Sequence, residues 1–117
     1  MDAPKSIIWI ASSQDDLRGF PDDVKDVMGY ALYEAQCGGR HPSAKPLVGF
    51  KGAGVLEVVD DFDGDAYRVV YTVRLGDVVY VLHAFQKKAH KGATTPKHDI
   101  DLIRQRLAVA QRLHHEQ

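Results

Sequence analysis

Apolar residues along this chain keep two rhythms, and their order sets the expected fold. Lys5–Ala11 (KSIIWIA) is a compact run rich in β-branched residues, as a buried strand requires. The spacing then changes. Val24, Val27, Met28, Ala31 and Ala35 recur at intervals of three and four, marking one face of a helix. Ser12 or Ser13 can cap a short helix before it, with Asp15 and Asp16 in the first turn where the helix dipole favours anions. Gly19 ends that helix, Pro21 suits the first turn of the next, and Gly38-Gly39 stops it. These two helices are expected to form a hairpin.

Arg40–Gly54 reads as a loop. Three strand signals follow, Val55–Asp60, Ala66–Arg74 and Val78–Gln86, separated by the tight-turn dipeptides Asp63-Gly64 and Gly76-Asp77. Thr94 or Thr95 is placed to cap a last helix, with Pro96 inside its first turn and a stripe of Ile100, Ile103, Leu107 and Ala110. The order β-α-α-β-β-β-α predicts one α+β domain over residues 1–117: an N-terminal strand and helix hairpin packed on an antiparallel sheet, with a C-terminal helix.

Two-residue turns fix a register. Leu75 should pair with Val78, Val70 with His83, Arg68 with Phe85, Val59 with Arg68 and Glu57 with Val70. Opposed residues share a face. One face then carries Tyr67, Val69, Tyr71, Val73, Tyr80, Leu82 and Ala84, an apolar set for the hairpin to cover. The other carries Glu57, Arg68, Thr72, Arg74, His83, Phe85 and Lys87.

Composition adds two limits. A single cysteine, Cys37, excludes an internal disulfide framework and suits a reducing cytoplasm. No apolar stretch approaches the roughly 20 residues that span a bilayer, so no membrane role is expected. The net charge of −1 conceals a division: residues 1–66 hold 12 Asp/Glu and 6 Lys/Arg, residues 67–117 hold 4 and 9, with five of the six histidines. That asymmetry suits an anionic partner for the second half, although the two halves of a folded domain can also neutralise each other.

The cations gather after a strand, in HAFQKKAHKG (83–92). Lys87, Lys88 and Lys91 form either a solvated strand end or a phosphate site. Arg68, on the same predicted face, either contacts phosphate or pairs with Glu57 across strands. RNA cleavage by its own 2′-hydroxyl needs a proton acceptor, cations for the phosphorane and a donor to the leaving oxygen. Arg68, Lys87 and Lys88 would supply the cations, and His83 or Glu57 the proton transfer. Phe85 could stack on a base, and His90 could touch RNA. DDFDGD (60–65) lacks the length and terminal Glu of a calcium loop, and His114-His115 lacks further ligands, so neither metal nor cofactor is expected.

YRVVY (67–71), VYVLHAFQKK (79–88) and TPKHDIDLIRQRL (95–107) resemble the RelE/ParE superfamily of bacterial toxins, nearest the phage-derived, HigB-like branch of type II toxin–antitoxin systems. The resemblance spans about residues 5–107. It implies the small RelE-like fold and an endoribonuclease that cleaves mRNA on the translating ribosome. It also implies a cognate helix-turn-helix antitoxin encoded next door, bound in a hetero-oligomer. By position it places Arg68 at the scissile phosphate, and Lys87 and Lys88 where relatives bind phosphate or donate a proton. Lys45 stands where some relatives keep a glutamate base; with Arg74 and Lys91 it is an RNA-binding candidate instead. ParE-like members inhibit DNA gyrase, so a non-nuclease toxin stays open, as does an inactive phage-derived binding module.

Overall fold

The computed structural model describes residues 3–50, 52–88 and 95–116. Five strands, β1 (Ser6–Trp9), β2 (Ala44–Pro46), β3 (Val55–Phe62), β4 (Asp65–Leu75) and β5 (Val78–Lys88), form one sheet in the order β1-β5-β4-β3-β2. The helices are α1 (Ser13–Arg18), α2 (Asp22–Gln36) and α3 (Lys97–His115). Strands β2 to β5 are antiparallel neighbours, and β1 adds to β5 in parallel. This is the expected α+β architecture, compatible with a RelE-like fold. The stretch expected to be a loop, Arg40–Gly54, contributes the short edge strand β2.

The sheet separates two cores. On one face, Val24, Met28, Ala31, Leu32 and Ala35 of α2 meet Val58, Val69, Tyr71, Val79 and Val81. Helix α1 packs mainly on β5, so the two helices lie in tandem across this face. Met28 is fully buried, and truncation of such a side chain costs about 2–5 kcal/mol. The α2 helix stops as its glycines require: Gly38 takes a φ of 85°, and the Gly39 amide turns back to donate to Glu34 O at 2.8 Å. On the other face α3 buries Ile103 and Ala110 against Val55, Val70, Tyr80 and Leu82.

Both hairpin turns hold the predicted pairs, Val70 with His83, Arg68 with Phe85, Val59 with Arg68 and Glu57 with Val70. Asp63 and Gly64 both have positive φ, 52° and 86°, which matches the twist of the strands they join. The face assignment fails at two residues. Tyr80 and Leu82 lie in the α3 core, while Val79 and Val81 face α2. The cause is a bulge: Val70 opposes His83 but Tyr71 opposes Val81, leaving Leu82 as the extra residue. A second irregularity between Thr72 and Leu75 restores the pairing Leu75–Val78. The bulge directs both Leu82 and His83 towards α3.

The N-terminus of α3 also differs from expectation. Pro96, with ψ 150°, occupies the N-cap position, and no side chain caps the helix. Thr95 is thereby released for another role, and Thr94 lies outside the described residues.

Candidate functional site

Three elements converge on the α3 face at Glu57. Register places Lys45 of β2 directly across from Glu57 on β3, which in turn opposes Val70 of β4. One position diagonal to it, Arg68 sends Nη1 to within 3.3 Å of Glu57 Oε2. The same Nη1 donates to Thr95 Oγ1 at 3.0 Å, and the Thr95 hydroxyl donates to Glu57 Oε2 at 3.4 Å. Carboxylate, guanidinium and hydroxyl thus close a triangle. Arg68 is 1% exposed and Glu57 5%, so this pair is sealed far more than a surface bridge.

Above the triangle is a cavity of about 380 Å³, lined by Lys45, Pro46, Leu47, Val48, Glu57, Thr95 and Ile100. Glu57 therefore has two sides, one towards the cleft and one towards Arg68. Lys45 is exposed at the rim. An exposed cation stands over a fixed carboxylate, and an anion entering the cleft would meet both.

His83 belongs to a neighbouring network. Its Nε2 lies 2.7 Å from Asp99 Oδ1 on α3, and Arg106 Nη1 lies 3.0 Å from its Nδ1. An arginine can only donate, so Nδ1 accepts and Nε2–H donates to Asp99. Arg106 also donates to Leu82 O and Ser12 Oγ, tying α3 to β5 and α1. Burial pushes the His83 pKa below its usual value, opposed by the hydrogen bond to Asp99 and reinforced by the Arg106 charge. Both ring nitrogens are engaged and the neutral form is favoured. Phe85 stacks on the ring at 4.6 Å between centroids, so its face is shared with His83.

The remaining candidates are spread along the sheet. Lys87 opposes Ala66 and Lys88 opposes Asp65 at the far end of β5. Lys87 falls on the Arg68 side of the sheet and is partly buried. Arg74 lies towards the opposite end of β4, donating to Gly52 O at 2.8 Å. It is not brought together with Glu57 and Arg68. His90 and Lys91 lie outside the described residues, as does the side chain of Lys88.

Thr95, Asp99 and Arg106 were missed by sequence reasoning. Thr95 reads as a helix cap, and Asp99 and Arg106 read as the polar side of an amphipathic helix. Their spacing of seven residues puts both on one face of α3, a signal that becomes informative only once His83 is known to point there. Among the described residues there is no group of three His, Cys, Asp or Glu side chains placed to hold a metal ion. No helix is long and apolar enough to cross a membrane.

A family model described as Phage derived protein Gp49-like (DUF891) matches residues 15–108, most of the chain and all of the site just described. The chain belongs to this family. It is a RelE/ParE-like toxin family of toxin–antitoxin systems, and membership suggests a toxin-like function and an antitoxin partner. No curated protein and no solved structure matches the chain.

Proposed function

We propose that this chain is the toxin of a type II toxin–antitoxin pair, close to the HigB-like branch, and that it inhibits translation by cutting mRNA on the ribosome. The observation that carries this reading is the Glu57 carboxylate, held by Arg68 and Thr95 at the floor of a cleft with Lys45 directly opposite. A phosphodiester drawn in by Lys45 would present its 2′-hydroxyl to Glu57. Glu57 accepts that proton, the 2′-oxygen attacks phosphorus, and the bond to the 5′-oxygen breaks. The products are a 2′,3′-cyclic phosphate and a 5′-hydroxyl that takes its proton from a lysine ammonium or water.

In this scheme Arg68 is a positioning residue. It fixes which lone pair of Glu57 faces the cleft and keeps a positive charge beneath the reacting phosphate. Lys87, on the Arg68 side of β5, extends the cationic track and holds the RNA strand that leaves the cleft. His83, held between Asp99 and Arg106 with its neutral form favoured, docks α3 instead of moving protons. A helix-turn-helix antitoxin encoded beside the toxin is the partner that would silence it.

The test is cleavage of a translated transcript, mapped by primer extension, for the parent and Glu57→Gln. The amide keeps the shape of the carboxylate and cannot accept the proton, so cleavage should fall by about 10²–10⁴-fold. Parental cutting by a well-folded Glu57→Gln protein would sink this site. A second reading is favoured by the internal satisfaction of His83 and by the depth of Arg68. In it the cluster is structural and the toxin acts by binding, as gyrase inhibitors do. Growth arrest with intact transcripts in the parent selects it, and unaffected growth at confirmed expression selects an inactive binding module.

A further inference from the structure

A second cavity, about 660 Å³, opens at the end of the sheet where β3 begins and β4 ends, beneath the C-terminal end of α2. Its wall is apolar: Ala35, Pro46, Phe50, Val55, Leu56 and Val73 line it. Its charges are of one sign. Lys5, Arg40 and Arg74 all contribute, and no Asp or Glu does. Among the described residues none of these three cations enters an ion pair. Both guanidinium groups are held by single backbone carbonyls, Arg40 by Ala44 O at 3.1 Å and Arg74 by Gly52 O at 2.8 Å. An arginine has five donors, so each keeps most of its capacity for a ligand.

The end of a helix would ordinarily repel an anion through its free carbonyls. Here those of Tyr33, Glu34, Ala35 and Gln36 are capped by the amides of Cys37, Gly39, Gly38 and Lys5. Glu34 is not part of the lining, although its carboxylate lies beside the lining residue Gly39. Tyr71 lies on the same sheet face as Leu56, its cross-strand partner, and as Val73. Its hydroxyl is buried behind the lining with no hydrogen-bond partner among the described residues, and both Arg40 and Glu34 act on it electrostatically.

We propose that this cavity binds a small phosphorylated ring compound, of which a nucleoside monophosphate is representative, with its phosphate among Lys5, Arg40 and Arg74 and its ring against the apolar wall. The volume falls within the usual range for small-molecule sites, about 300–1,000 Å³, and a guanidinium group matches phosphate oxygens in geometry as well as charge. Pro46 lines both this cavity and the Glu57 cleft, yet the two cation sets are separate.

Isothermal titration of the full chain with AMP, adenosine and inorganic phosphate tests the site. AMP should bind with a Kd below about 1 mM, inorganic phosphate should compete, and adenosine should bind about tenfold or more weakly. Arg74→Gln and Lys5→Gln should each raise the Kd for AMP by about tenfold while melting like the parent. Glu57→Gln, in the other cleft, should bind AMP normally whether or not it cuts RNA. No heat with millimolar AMP would overturn the proposal. So would equal binding of adenosine, unchanged affinity in both cation variants, or loss of AMP binding in Glu57→Gln.

Discussion

Arg68 Nη1 and Glu57 Oε2 lie 3.3 Å apart with side-chain exposures of 2% and 7%, and the Thr95 hydroxyl touches both. A charge pair at this depth has given up its hydration, so its members depend on each other. Removing one takes the buried counter-charge away from the other, at a cost of about 3–5 kcal/mol. Arg68→Met and Glu57→Leu should therefore each lower the unfolding free energy by roughly that amount in urea titrations. The double variant should recover most of it, since two apolar residues of similar volume can replace a buried pair. If single and double losses simply add, the two residues are not energetically coupled.

The strand pairing behind that pair was legible from Asp63-Gly64 and Gly76-Asp77, because a two-residue turn leaves one register open and alternation then decides the faces. The bulge at Leu82 was not legible. An extra residue in an apolar run such as VVYVLHAF has no compositional mark, and it reverses the faces of Tyr80 and Leu82. Lys45 was recognised as an RNA-binding candidate without its geometry, because a three-residue strand at a sheet edge cannot be told from loop by pattern. The depth of Arg68 was also hidden, since only the docking of α3 and Thr95 encloses it.

Lys45 separates binding from stability. It is exposed, so Lys45→Gln should change the unfolding free energy by no more than about 0.5 kcal/mol. Loss of a cation aimed at the transition-state phosphate should slow cleavage by roughly 10²-fold. Lys45→Arg should recover part of the rate. Single-turnover cleavage of a translated transcript beside thermal melting checks this, and an unchanged rate for Lys45→Gln removes the residue from the site.

His83 makes a prediction about pH. Burial lowers its pKa in the folded protein below the usual value of about 6.5. The unfolded chain therefore takes up the proton first as pH falls. The stability from neutral His83 is fully present above about pH 6.5 and is lost as pH drops towards the folded pKa. The fall in Tm between pH 7.5 and 5.5 should be smaller in His83→Gln, which has no titrating ring. Equal falls in the two proteins would mean that protonation of His83 costs the fold nothing.

Gly54 sets the position of Arg74. Its φ is 69°, and a Cβ built there would stand 2.6 Å from Arg74 Cδ and 2.8 Å from Arg74 Cβ. Those are atoms of the side-chain stem, close to backbone, so they cannot swing aside freely. Gly64 offers the control, with a φ of 86° and nothing within 4 Å of a built Cβ. Gly64→Ala should cost only the strain of a left-handed residue, about 1 kcal/mol, whereas Gly54→Ala should cost about 1–3 kcal/mol. The excess is the clash with Arg74, so it should shrink when Arg74→Ala is added, and the coupling from a double-mutant cycle should reach at least about 0.5 kcal/mol. Displacing the stem also pulls the guanidinium from Gly52 O and out of the cationic cavity. Gly54→Ala should then weaken AMP binding as Arg74→Gln does, while Gly64→Ala leaves it unchanged. Equal stability losses for the two glycines, with no coupling to Arg74, would show that Gly54 serves only its backbone conformation.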